Sequence, residues 1–164
     1  MFNSTKRFGP IPTCHRNWHA ALNENRNSQK CAWIHGYSRH VQITFSGGLD
    51  ACQWVYDFGD CKFIKEFLDD LWDHKVLISS NDPELQHLQT MQDLDLLRLT
   101  IIDAENGLNW GPGMEGSCKF LFDNLQPTIT KKTEGRVRIT RVEVWEHENN
   151  SAIFIPNESD FELI

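Results

Sequence analysis

The stretch Cys31 to Phe45, CAWIHGYSRHVQITF, alternates with a period of two from Trp33 onward, and so long an alternation commits the chain to a half-buried β-strand. It puts His35, Tyr37, Arg39, Val41, Ile43 and Phe45 on one face and Ile34, Gly36, Ser38, His40, Gln42 and Thr44 on the other. His35 and Tyr37 therefore share the side whose far end enters a core, and His40 points away. Cys31 stands four residues before His35, where the chain arrives from the polar loop NENRNSQK. A thiol and an imidazole at the mouth of one strand make a candidate site, although a lone His there is commonly a hydrogen-bonded surface or core residue and a lone Cys a small hydrophobe.

The flanking sequence supplies partners for that strand. Phe2 to Cys14 reads as extended, with Pro10 and Pro12 confining it to a sheet edge or to a strand with an irregular end. In CHRNWH, His15 and His19 share a face only if a helical turn forms there. Gly47-Gly48 signals a turn, and ACQWVYDF after it reads as the second arm of an antiparallel hairpin. Asp60 can cap a helix whose Phe63, Ile64, Phe67, Leu68 and Leu71 form an apolar stripe ending near Trp72-Asp73-His74. An acid and a histidine just past a helix end can sit in a cleft, or can simply close the helix where its dipole favours a cation.

Asn81-Asp82-Pro83-Glu84 opens a short helix, and Leu94 to Ile102 is a strand or a helix end. Glu105 to Gly113 is a loop rich in turn residues. A second amphipathic helix runs from Glu115 through Cys118, Leu121, Phe122 and Leu125 and is expected to stop at Pro127. RVRITRVEVWEHE and SAIFIP form a last hairpin across Asn149-Asn150. Its alternation slips between Ile139 and Val142, which predicts a bulge or burial of both faces. Glu146 falls on the face of Val142 and Val144, where a carboxylate is costly unless it meets donors. This order of elements predicts an α+β fold, an antiparallel sheet covered on one side by helices.

The 164 residues suit a single domain, 1–164, with a core of its own. A net charge of -7 argues against a general nucleic-acid or anionic-membrane surface. Lys131 to Arg141 is locally basic, either a solvated strand face or a guide for an anionic substrate. The start has no apolar core of signal-peptide length and no window approaches a membrane span. Five cysteines without a CxxC fit reduced thiols, and the expectation is a cytoplasmic protein.

The order CHR, C-x3-HG with a hydrophobic strand behind it, YDF, DHKVL, GMEGSCKFLFDNL and VEVWEHENN resembles the family of 6-pyruvoyltetrahydropterin synthase and the queuosine-pathway 6-carboxytetrahydropterin synthase, over roughly Phe8 to Phe154. The resemblance implies the tunnelling fold (T-fold), in which copies of the chain assemble as a homo-oligomer, a hexamer or other barrel, with sites between subunits. It implies a pterin triphosphate substrate, 7,8-dihydroneopterin triphosphate, and a catalytic zinc. Carried over by position, Cys31 matches the catalytic cysteine and Asp73 with His74 the aspartate-histidine pair. Glu146 matches the carboxylate that grips the amino-pyrimidine edge, Glu115 the glutamate beside the pterin pocket, and His15 and His35 two of three zinc ligands.

The third ligand is where the chain departs, because the family reads HGH and this sequence reads HGY. Tyr37 can bind as phenolate only if the metal pulls down a pKa of about 10. His19 can swing in instead, or the metal can be absent. His40 is a poor substitute, being odd in phase with His35. If the family chemistry holds, the metal acts as a Lewis acid, Cys31 takes one proton, His74 moves a second and Glu146 positions the pterin. The spacing of Cys31 to HG favours the carboxy branch, a lyase releasing triphosphate and acetaldehyde. Three alternatives stand beside it: a 6-pyruvoyltetrahydropterin synthase, a dihydroneopterin aldolase-like enzyme, and a non-catalytic pterin- or nucleotide-binding protein that has lost the metal.

Overall fold

The computed structural model describes residues 1–25, 27–103 and 111–162. The long alternating stretch is strand β2 (His35–Gly47), and it pairs on both sides, with β1 (Phe2–His15) and with β5 (Val137–His147). Between β2 and β5 the chain forms helix α1 (Lys62–Trp72), β3 (Lys75–Ser79), α2 (Leu85–Asp93), β4 (Leu99–Ile102) and α3 (Met114–Lys132). It closes with β6 (Asn150–Phe154) and the short helix α4 (Glu158–Glu162). The sheet order is β4-β3-β1-β2-β5-β6.

The α+β layering expected from the sequence is present. The sheet is mixed rather than wholly antiparallel, because β3 joins β1 in parallel and β4 joins β3 in parallel, each after a helical crossover. β1 is thus internal at Thr13–His15, and of its two prolines Pro10 falls in an irregularity between Phe8 and Ile11 while Pro12 stays in register opposite Ser38, ahead of the residues that pair with β3. That bulge changes the phase of the strand, so Phe8 before it and Ile11, Thr13 and His15 after it are all buried. Gly9 makes the bulge: its φ is +109°, and a Cβ there would lie 2.6 Å from the Arg39 carbonyl oxygen.

Three expected elements differ. ACQWVYDF is a folded turn and not a strand: Asp50 accepts from the amides of Cys52 and Trp54, and Arg136 donates to the carbonyls of Gly48 and Val55. The partner expected from it comes instead from β5. The cap before α1 is Asp57, which accepts from the Gly59 amide at the head of a short 3-10 turn, rather than Asp60. α3 runs through Pro127, because Leu125 and Ile129 keep one buried face on the sheet and Gln126 accepts from the Ile139 amide of β5. Most of the loop expected at Glu105 to Gly113 lies outside the described residues.

The core is one cluster between the helices and one sheet face. Ile64, Leu68 and Trp72 of α1 and Cys118, Leu121, Phe122 and Ile129 of α3 pack on Val41, Ile43 and Phe45 of β2 and on Val142 and Val144 of β5. The slip in alternation on β5 is a bulge: Thr44 pairs with Arg141 and Phe45 with Ile139, skipping Thr140. It lets Val137 and Ile139 face inward together with Val142 and Val144. No described helix is long and apolar enough to cross a membrane.

One buried ion pair fixes the end of β1. Arg16 donates from Nε to Asp82 Oδ2 at 2.8 Å, and Asp82 also accepts from the Glu84 amide before α2. The Asp82 side chain is fully buried, so its loss takes from the guanidinium its charged partner and from the Glu84 amide its acceptor together. We expect Asp82→Ala to cost about 3 kcal/mol in urea denaturation. Glu158→Ala, which removes the largely exposed pair with Arg138, should cost less than about 0.5 kcal/mol.

Candidate metal centre

Beyond its apolar stretch, the core face of β2 continues through Arg39, Tyr37 and His35 toward the open end of the sheet. β1 runs antiparallel beside it with His15 directly opposite His35. From the other side β5 brings Glu146, one step past Trp145, which pairs with His40. The carboxylate oxygen Oε1 of Glu146 lies 3.8 Å from His15 Nε2 and 4.0 Å from His35 Nε2. The His15 and His35 rings are 4.3 Å apart, with Tyr37 edge-on to His35 at 5.7 Å. Gly36 permits the two strands to approach this closely, since a Cβ there would stand 2.6 Å from Cys14 Sγ.

Donor atoms of His15, His35 and Glu146 all lie within 4.8 Å of one another, a spacing that could hold a metal ion. Two ligands of one zinc, with bonds of about 2.0–2.2 Å, stand at most about 4.4 Å apart, so both histidine-to-glutamate separations are within reach. Two imidazoles and a carboxylate are also ordinary zinc donors. The His35 ring is set for the role: Nδ1 lies 2.7 Å from the Trp33 carbonyl oxygen, which only accepts, so Nδ1 carries the proton and Nε2 offers a lone pair.

Tyr37 remains next to the trio. Burial first, then the charges of Glu146 and Cys31, raise its phenol above the usual value, so without a cation it is neutral. On its other side lies His147, at 5.5 Å.

Arg39 is the group that sequence reasoning left unused. Its side chain is completely buried against Trp72, donating to Ser117 Oγ at 3.1 Å, the Pro112 carbonyl at 3.1 Å and His15 Nδ1 at 3.0 Å. Burial draws the guanidinium down to about 10, with the Glu146 charge opposing, and it stays a cation at neutral pH. Burial, then the charge of Arg39, then His35 pull the His15 imidazole down to about 3. The alternation of β2 had put Arg39 on the core face. A cation in that position could have been flagged as needing buried acceptors.

The remaining sequence-predicted residues fall in three places. Cys31 is exposed on the short 3-10 turn Ser28–Ala32, its carbonyl accepting from the amide of Asn17 just past β1, and lies near enough to Tyr37 for its charge to act on the phenol. Asp73 and His74 form a pair of their own, His74 Nδ1 donating to Asp73 Oδ1 at 2.8 Å, while the His74 amide donates to the Pro12 carbonyl. His74 takes the left-handed conformation, φ 56°, and lines an open depression with Cys14, Gly36 and Tyr37. His19 is stacked on Trp18 and shares a different depression with Glu115. One chain therefore brings together His15, His35, Tyr37 and Glu146 with Cys31 on the rim. His74, with Asp73 behind it, meets that group only at Tyr37, and Glu115 and His19 line the other depression.

The profile of a family described as 6-pyruvoyl tetrahydropterin synthase matches residues 5–157. Among solved structures, an uncharacterized protein from Wolinella succinogenes is similar with a TM-score of 0.74 at 19% identity, covering 95% of this chain and 98% of that one. The 6-pyruvoyl tetrahydropterin synthase of Caenorhabditis elegans gives 0.60 at 14%, covering 95% and 96%. A catalytic residue mutant of the Plasmodium vivax 6-pyruvoyltetrahydropterin synthase, glutamate replaced by alanine, gives 0.61 at 15%, covering 96% and 99%. At these identities the likeness is one of fold. No curated protein matches the chain.

The depressed His15 has a consequence for stability. Its folded value of about 3 lies below the 6.5 of a free imidazole, so the unfolded chain binds the proton first as pH falls. Above pH 6.5 the group is neutral in both states and contributes nothing. Between 6.5 and about 3 acidification favours unfolding, by at most about 1.4 kcal/mol per pH unit. In chelator-treated protein, denaturation curves across this range should show that slope for the parent chain, and a shallower one for His15→Gln.

Proposed function

Since the chain belongs to the 6-pyruvoyl tetrahydropterin synthase family, we propose that it is a tetrahydropterin synthase-like lyase acting on 7,8-dihydroneopterin triphosphate. We infer the 6-carboxytetrahydropterin synthase outcome, in which triphosphate and acetaldehyde leave. The observation that carries the reading is the convergence of His15, His35 and Glu146 from three neighbouring strands, beside Tyr37 and with Cys31 on the rim.

In this reading His15, His35 and Glu146 would hold a divalent cation, zinc by the nature of the donors, with Tyr37 beside them as a further oxygen donor. When bound, the ion supplies Lewis-acid polarisation of the substrate's side-chain oxygens. Cys31 accepts a proton from the substrate side chain. His74, held through Nδ1 by Asp73, presents the lone pair of Nε2 and moves a second proton as general base or acid. Glu146 faces the imidazoles with Oε1, and Oε2 accepts from the N–H groups of the amino-pyrimidine edge. Glu115 stands beside the pterin.

Within one chain the depression that His74 lines includes Tyr37 but none of the trio, so in this reading His74 of one subunit completes the site of another in a homo-oligomer. Exposed apolar side chains on the two outer strands, Ile101 on β4 and Ile153 on β6, with Ile155 beyond, support assembly through the sheet edges. The spacing of Cys31 to the His35-Gly36 pair favours the carboxy outcome. The description of the matching family favours the second reading, 6-pyruvoyltetrahydropterin synthase.

Incubation of the purified protein with 7,8-dihydroneopterin triphosphate and identification of products decides between them. Acetaldehyde with a 6-carboxy pterin is expected, a 6-pyruvoyl product selects the second reading, and recovery of intact substrate removes both. Cys31→Ala should lower turnover by at least about a hundredfold while pterin binding persists, and full activity in that variant would take Cys31 out of the chemistry. Glu146→Gln should weaken pterin binding by about tenfold or more; unchanged affinity would count against its role. Light scattering should give a multiple of the chain mass.

A further inference from the structure

A guanidinium only donates hydrogen bonds, and a neutral imidazole carries a single proton. With Arg39 Nη2 donating to His15 Nδ1 at 3.0 Å, the lone pair of Nδ1 is taken and the ring proton must sit on Nε2. That is the nitrogen facing Glu146. The two histidines of the trio are thus in opposite tautomers. His35 donates from Nδ1 to a carbonyl and offers Nε2 to a ligand, whereas His15 offers an N–H. The ordinary support for a ligating histidine is a carbonyl or a carboxylate on the second nitrogen, and here the support is a cation.

We propose that Arg39 is a tautomer lock on the metal site: it holds the His15 ring proton on Nε2, on the side of Glu146, supplies the positive charge of the metal-free centre, and keeps zinc affinity low. The inference rests on reading His15, His35 and Glu146 as a metal site. For zinc to be bound by His15, the ring proton moves from Nε2 to Nδ1 through solvent, and the guanidinium withdraws, since two donors cannot face each other. Withdrawal is opposed by the other contacts of Arg39, to Ser117 Oγ and to the Pro112 carbonyl. Those residues flank the start of α3.

The test is zinc affinity of the full chain, stripped with a chelator and titrated with zinc alone against a chromogenic competitor. Arg39→Met removes the donor and the charge and should bind zinc about ten- to a hundredfold more tightly than the parent. Arg39→Lys, which keeps a cationic donor, should stay near the parent. Equal or weaker binding in folded Arg39→Met overturns the inference alone. No zinc binding by either protein overturns it together with the metal reading, while the product assay judges the lyase reading separately. Nitrogen-15 NMR of the parent chain gives an answer that does not depend on the variant folding. The metal-free His15 ring should show its proton on Nε2, and a proton on Nδ1 would overturn the lock.

Discussion

The pairing of β1 with β2 is the constraint on which the site depends. It sets His15 opposite His35 and Thr13 opposite Tyr37, and side chains on a strand change face at every residue. A slip of one position would turn one imidazole away from the other and expose part of the core beneath. The register is held from both ends: by Phe8, Ile11, Val41 and Ile43 packing under the helices, and by Arg16 bound to Asp82 beyond His15. Packing that stabilises the sheet therefore also determines the distance between two candidate ligands. Glu146 belongs to the same arrangement, because the valines before it on β5 are anchored in that core.

A buried charge at the boundary between this core and the site shapes its chemistry. The Arg39 guanidinium has hydrogen-bond acceptors on both terminal nitrogens, while Nε has none among the described residues. Leaving a cation so placed is costly unless nearby groups answer it, and the Glu146 carboxylate and the face of Trp72 do so. The neutral state of His15 follows first from its burial and then from this cationic neighbour. Tyr37, His15 and Glu146 thus form a centre whose polarity is already fixed before any ligand arrives.

Much of this was legible in the sequence because alternation survives without knowledge of partners. The faces of β2, the slip in β5 and the inward phase of Glu146 all follow from counting by twos, and the structure has them. The hairpin expected after Gly47 failed because ACQWVYDF has strand-like composition, while the Asp50 side chain folds its backbone and Arg136, far along the chain, caps it. Pro127 looked like a stop because local rules do not see that the helix face continues onto the sheet. The role of Arg39 needed Ser117 and Pro112, remote in sequence, to be seen as its acceptors. Which residues share a depression in one chain was likewise invisible: His74 lies with Tyr37 and Glu115 with His19.

The sheet order has a kinetic meaning. His15 and His35 are joined by a short connection and can meet as soon as β1 and β2 pair, but Glu146 reaches them only through a pairing such as His40 with Trp145, roughly a hundred residues apart. Contacts of such long range slow the search for the native state. The carboxylate therefore joins the two imidazoles only where β5 has paired with β2, and the complete centre reports that this long-range pairing is in place.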